Sequence, residues 1–150
     1  EVKRVAITIE TEQAYRYRAS GVFVRFIHRG CDRTEDVTDR LYDALTAGQV
    51  SEQEFAQVLA STLLWGGQSR FSESDITVVL EVSQRVDVNI VERAQHRAVV
   101  LRRIGLPVVA VVAGTEWDGQ ALIQAQTLGV AIALHGQANA DSWHKALTTV

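Results

Sequence analysis

The stretch from Asp75 to Leu106, DITVVLEVSQRVDVNIVERAQHRAVVLRRIGL, constrains this chain more than any other. Ile76 to Val82 is β-branched or aliphatic except at Glu81. A carboxylate inside such a run must be paired, metal-bound or close to the strand's open end, because burying an unpaired charge is very costly. After this strand comes an amphipathic helix with Asn89 and Glu92 as its predicted caps. Ile90, Val91, Ala94, Ala98 and Leu101 form its apolar sector, and Glu92, Gln95, His96, Arg102 and Arg103 point away. Gly105 and Pro107 end it, and the continuous apolar run Val108–Ala113 reads as a strand covered on both faces. Thr115 is the expected cap of a further helix through Ala121, Leu122, Ala125 and Leu128, closed by Gly129. Val130–Leu134 is a last short strand, and Asn139–Thr149 a docking helix that carries Trp143. Strand, helix, strand, helix, strand is a βαβαβ arrangement, for which right-handed crossovers are expected.

Upstream, Val5, Ile7 and Ile9 alternate with Ala6, Thr8 and Glu10 in the period of a half-buried strand, with a helix as the alternative if an upstream helix continues through them. Tyr15, Ala19, Val22 and Phe26, with Phe23 and Ile27 beside them, then lie on one helical face ending near Gly30. Arg18, Arg25 and Arg29 repeat on another face, which is either a solvated stripe or a phosphate-contacting one. Past a polar turn at Asp32–Asp36, Val37, Leu41, Ala44 and Leu45 mark a short helix stopped at Gly48. Ser51 and Glu54 form a capping box for a second that buries Phe55, Val58 and Leu59. The two resemble a helix-turn-helix in outline, but the second offers Glu52, Gln53, Glu54 and Gln57 with no Arg or Lys, so phosphate would be repelled where bases should be read. Ser61–Trp65 is a predicted strand, folded back by the turn Gly66–Ser74 onto Ile76–Ser83. With the hairpin tip near Phe71 and Ser72, Ser61 and Thr62 fall opposite Val82 and Glu81. Asp75 lies six residues from Glu81, about 20 Å along a strand, too far to share a metal ion with it.

Composition narrows the classes. At 150 residues with 47% hydrophobic and 22% charged, the chain fits one soluble domain with one core. No apolar run is long enough for a bilayer and no signal peptide is evident, so no membrane association is expected and the cytoplasm is the default compartment. Cys31 stands alone, which excludes a disulfide framework or a cysteine-rich zinc site. A net charge of −3 argues against a generic cationic nucleic-acid binder. The sequence contains no methionine, so a trimmed or processed longer chain is expected. There is no P-loop, GxGxxG, HExxH or GxSxG motif, and His28, His96, His135 and His144 lack ligand spacing.

The order of helix, hairpin, strand ending at Glu81-Val82-Ser83, amphipathic helix and strand PVVAVVAG resembles the PD-(D/E)XK, or restriction-endonuclease-like, nuclease superfamily over residues 12 to 135. It is nearest to bacterial members with an E-V-S central motif, which often carry an upstream coiled coil. The resemblance implies an α/β fold with a restriction-endonuclease-like core, a mixed sheet flanked by helices, and a short helical-hairpin insertion. Residues 1–150 would form a single nuclease-like domain that lacks such a coiled coil. It also implies DNA as partner and Mg²⁺ held jointly by Glu81 and a carboxylate on the preceding strand, with a lysine acting on the attacking water. Here Ser61 or Thr62 occupies the Asp position and Ser83 the lysine position. Metal ligands would therefore be Glu81 and Ser61, and catalytic residues Glu81 and Ser83. The replaced Asp and Lys make Mg²⁺ binding weak or absent. Arg85, Arg93 or Arg97 would supply a relocated cation, and Glu12 is the nearest substitute for the missing Asp. Arg18, Arg25, Arg29 and Arg85 are the nucleic-acid-binding candidates. The domain is then a degenerate or weakly active nuclease. Alternatively, it is a noncatalytic self-association or docking module, with a homodimer the expected assembly. A flavodoxin-like binder is disfavoured by the hairpin before Glu81.

Overall fold

The computed structural model describes residues 12, 13, 15, 18, 19 and 21–150, so the strand expected at residues 1–10 lies outside the described residues. Residues 12, 13, 15, 18, 19 and 21–23 are helical. There follow β1 (Ile27–Asp32), α1 (Thr34–Thr46), α2 (Glu52–Leu59), β2 (Leu63–Ser69), β3 (Asp75–Val82), β4 (Arg85–Val86) and α3 (Val88–Arg103). The chain continues through β5 (Val108–Gly114), β6 (Glu116–Trp117), α4 (Gly119–Leu128), β7 (Ala131–Leu134), β8 (Gln137–Ala138) and α5 (Ala140–Thr148). The protein is α/β: a mixed six-stranded sheet in the order β1-β2-β3-β5-β7-β8, with helices on both faces. β2 runs antiparallel to β1 and β3, β3, β5 and β7 are parallel, and β8 turns back along β7.

Alternation along β3 divides the interior. Ile76, Val78, Leu80 and Val82 join Tyr15, Ala19, Phe23, Phe26, Ile27 and Trp143 in one apolar cluster. Val79 joins Leu64, Val112 and the apolar residues of α1, α2, α3 and α4 in another. The single expected core is thus two, because a central strand with apolar side chains pointing both ways must be covered twice. Glu81 falls on the side of Val79, beneath α3.

Several elements differ from expectation. The first helix stops at Phe23, a turn follows, and residues 27–32 are an edge strand. Phe26 and Ile27 are core residues as their spacing suggests, but they reach the core from a turn and a strand. Gly66 and Gly67 belong to β2 rather than to the turn. A Cβ on Gly66 would lie 2.5 Å from the Ile76 carbonyl oxygen and one on Gly67 2.5 Å from that of His28, so only glycine permits both neighbours to approach. The reversal falls at residues 70–74, where Glu73 has a φ of 58°. The helix caps also move: Asp87 caps α3 by accepting from the Ile90 N–H, and Asp118 caps α4 by accepting from that of Gln120. The residues expected to cap are displaced because β4 and β6 pair with each other in a small second sheet before either helix begins. The helices around Gly48 and the Ser51–Glu54 capping box form as read, and so does α5, capped by Asn139 with Trp143 fully buried.

Candidate functional site

The hairpin register places Leu63 opposite Leu80, which continues to Thr62 opposite Glu81 and Ser61 opposite Val82. Thr62 Oγ1 accepts from the Val82 N–H at 3.2 Å, so the expected juxtaposition forms at the end of the ladder. On its other side Glu81 is level with Val112 of β5, and only 2% of its surface is exposed. A carboxylate this deep needs compensating charge, and α3 supplies it twice. Arg97, itself buried, donates from Nη1 to Glu81 Oε2 at 2.7 Å, and half-exposed Arg93 donates from Nε to Oε1 at 3.2 Å. The two arginines are one helical turn apart, so both reach back onto the strand end that α3 crosses.

The two serines expected beside Glu81 are engaged elsewhere, and Glu12 lies across the sheet. The Ser61 hydroxyl donates to the Val58 carbonyl at 2.7 Å, closing the end of α2. The Ser83 hydroxyl donates to the Arg85 carbonyl at 2.8 Å, holding the bend into β4. Glu12 belongs to the helical segment whose Tyr15 and Ala19 pack on the opposite face of the sheet. Among the described residues no three His, Cys, Asp or Glu side chains gather closely enough to hold a metal. Mg²⁺ prefers a hard oxygen site with one or two carboxylates and several waters. Here both oxygens of the Glu81 carboxylate face guanidinium groups, and the Ser61 and Ser83 hydroxyls serve the backbone. The residues present do not fit that ion.

The nucleic-acid candidates do not converge. Arg85 is exposed on β4, just past the end of β3 that carries Glu81. Arg25 and Arg29 are exposed at the start of β1, which aligns through β2 with Asp75–Val78. Arg29 is therefore about 15 Å from the level of Glu81, at roughly 3.3 Å per residue. Arg18 is exposed on the preceding helical segment. Of the three arginines considered as a relocated cation, Arg93 and Arg97 reach Glu81, and Arg85 makes no ion pair among the described residues.

A second charged pair escaped the sequence reading. Arg33 lies across Gly66 and clamps Asp75 at the start of β3 with two bonds, Nη2 to Oδ1 at 2.8 Å and Nη1 to Oδ2 at 3.1 Å. The bonded Asp75 carboxylate raises the Arg33 guanidinium above its ordinary range. Its only sequence signal is a polar residue just after an unrecognised strand. Two hollows, of about 710 and 620 Å³, open at this end of the sheet and share Pro107 and Val150.

The fold and the ion cluster at Glu81 define the chain as an α/β protein with a mixed sheet and a buried Glu81–Arg97 pair, joined by half-exposed Arg93, at the carboxyl end of its central strand. Comparison with protein-family models, curated proteins and solved structures finds no match. Among the described residues no helix is long and apolar enough to cross a membrane.

Proposed function

We propose that this chain is a restriction-endonuclease-like domain whose metal-dependent hydrolytic site has degenerated, and that it contacts nucleic acid without cleaving it. The succession of helix, hairpin, strand ending at Glu81, amphipathic helix and apolar strand supports the fold assignment. One observation carries the loss of hydrolysis: both oxygens of Glu81 are held by Arg93 and Arg97. A metal ion entering there would have to displace two guanidinium groups from the Glu81 carboxylate, and in a low-dielectric setting that exchange is strongly unfavourable.

Titration of the protein with Mn²⁺ and Mg²⁺ by calorimetry, paired with incubation on linear, supercoiled and single-stranded DNA, tests this reading. The expected result is no saturable binding at millimolar metal and intact DNA. Metal-dependent cleavage that disappears in a folded Glu81→Gln variant would overturn it.

A further inference from the structure

One exposed aromatic residue and a hollow lie together at the end of the sheet opposite Glu81. Phe71 occupies the β2–β3 reversal, in the run Arg70-Phe71-Ser72-Glu73-Ser74, and is 48% exposed. One exposed aromatic residue is unremarkable in itself. What distinguishes Phe71 is its setting. Its ring meets His144 edge-on at 4.7 Å and rests against buried Phe26 at 6.4 Å, so it is supported from beneath. The Arg25 guanidinium lies 5.8 Å from the centroid of that same Phe26 ring. Arg70 donates from its backbone N–H to the Phe26 carbonyl and from Nε to the Val24 carbonyl. Its two terminal nitrogens make no hydrogen bond to any described residue. His144 thus meets the half-exposed Phe71 ring directly, Arg70 precedes it in the chain, and Arg25 lies against the Phe26 ring that supports it.

The local charge balance favours an anion. Asp75, the nearer strand-end carboxylate, is neutralised by Arg33, which leaves Glu73 as the opposing charge on the turn. Beside Phe71 the hollow of about 620 Å³ is lined by Ser69, Ser72, Ser74, Ile76 and Leu147. That volume falls within the roughly 300–1,000 Å³ of small-ligand clefts; Ser69 and Ser72 Oγ accept from the Phe71 and Ser74 N–H groups, which leaves their O–H groups to donate over an apolar floor. In the 710 Å³ hollow, by contrast, Arg102 and Lys145 already donate to the Val108 and Gln126 carbonyls. Stacking aromatics with flanking cations is the combination that binds single strands, whose bases expose their faces. A duplex hides those faces and would use only the charges.

We propose that Phe71, with His144 at its edge, Arg70 next to it in the chain and Arg25 against the adjoining Phe26 ring, is a stacking platform for single-stranded nucleic acid. One base would lie against Phe71 at the mouth of the serine-lined hollow, and the neighbouring phosphates on the arginines. The ligand class rests on the nucleic-acid reading above; the location depends on nothing at Glu81.

The test is fluorescence anisotropy of the full chain with labelled oligo(dT) and oligo(U) at low salt. Binding is expected to weaken with salt along a log–log slope of about −1.4 to −2, as for two or three phosphates at roughly 0.7 each on a single strand. Phe71→Ala should weaken binding by at least about fivefold, the lower end for loss of one stacked base. Arg70→Gln should make the slope shallower by about 0.7. Tyr42→Ala, at an aromatic residue 60% exposed on α1, should change neither quantity. Circular dichroism melts verify that each variant is folded. Absence of binding, equal affinity for blunt duplex, full competition by polyglutamate, or an unchanged Phe71→Ala affinity would each overturn the platform. Metal-dependent cleavage would overturn the degenerate-nuclease reading and leave the platform standing.

Discussion

A carboxylate between two central strands cannot be left to solvent, and Glu81 is neutralised by residues twelve and sixteen positions later on the helix its own strand feeds. The arrangement is only partly satisfied, since the buried Arg97 Nε has no partner among the described residues. Removing one member of such a pair leaves a stranded charge, whereas removing both need not. Arg97→Met is therefore expected to cost about 3–5 kcal/mol in urea unfolding. The double variant Glu81→Leu with Arg97→Met should recover most of that loss; a double variant as unstable as the single one would contradict the pairing argument. Arg93 is 49% exposed along its side chain, and its replacement by Ala should cost about 1 kcal/mol or less.

At the scale of elements, the helix termini and the small β4–β6 sheet determine how the chain leaves the main sheet. Asp87→Ala removes the bond to the Ile90 N–H and should cost about 1 kcal/mol, read from the urea midpoint at constant slope. Gly114 allows β5 to pass the β3–β4 bend: a Cβ there would lie 2.4 Å from the Ser83 carbonyl oxygen and 2.5 Å from Val86 Cγ2. Gly114→Ala is accordingly expected to destabilise by about 1–3 kcal/mol through overpacking. In α2, the Ser51 backbone N–H and then Arg103 hold the Glu54 carboxyl below its ordinary value of 4.5. A depressed carboxyl stabilises the fold above its unfolded value, and that contribution disappears as pH falls through the lower folded value. Glu54→Gln should thus flatten the acid limb of a melting-temperature profile below about pH 4.5; an unchanged limb would contradict this coupling.

Across the whole molecule, β3 and β5 supply side chains to both apolar layers, so neither layer has a sheet of its own. Trp65 and Trp143 sit in one layer and Trp117 packs against the other. Unfolding followed by fluorescence of a Trp117-only variant should coincide with that of a variant retaining Trp65 and Trp143, as two-state behaviour requires. Separate transitions would mean that the layers unfold independently.

How much could be read from the residues alone depended on how far each signal had to reach. Period and turn chemistry are local, and they were enough for β3, α3, β5 and α5, the capping box at Ser51, the left-handed glycines 48 and 129, and the register that sets Thr62 against Glu81. The edge strand β1 was hidden because Phe26 and Ile27 continue a helical period, and only pairing with β2 selects the extended form. Gly66 and Gly67 looked like a turn because glycine serves close strand approach as well as reversal, and the carbonyls that crowd them come from other strands. The same division holds for Glu81. The sequence limited this carboxylate to pairing, metal binding or an open strand end, and offered Arg93 and Arg97, with Arg85, only as a relocated catalytic cation. Only the tertiary structure decided that both arginines take it, because which helical face lies over a strand end is settled by packing across the sheet, beyond the reach of local pattern.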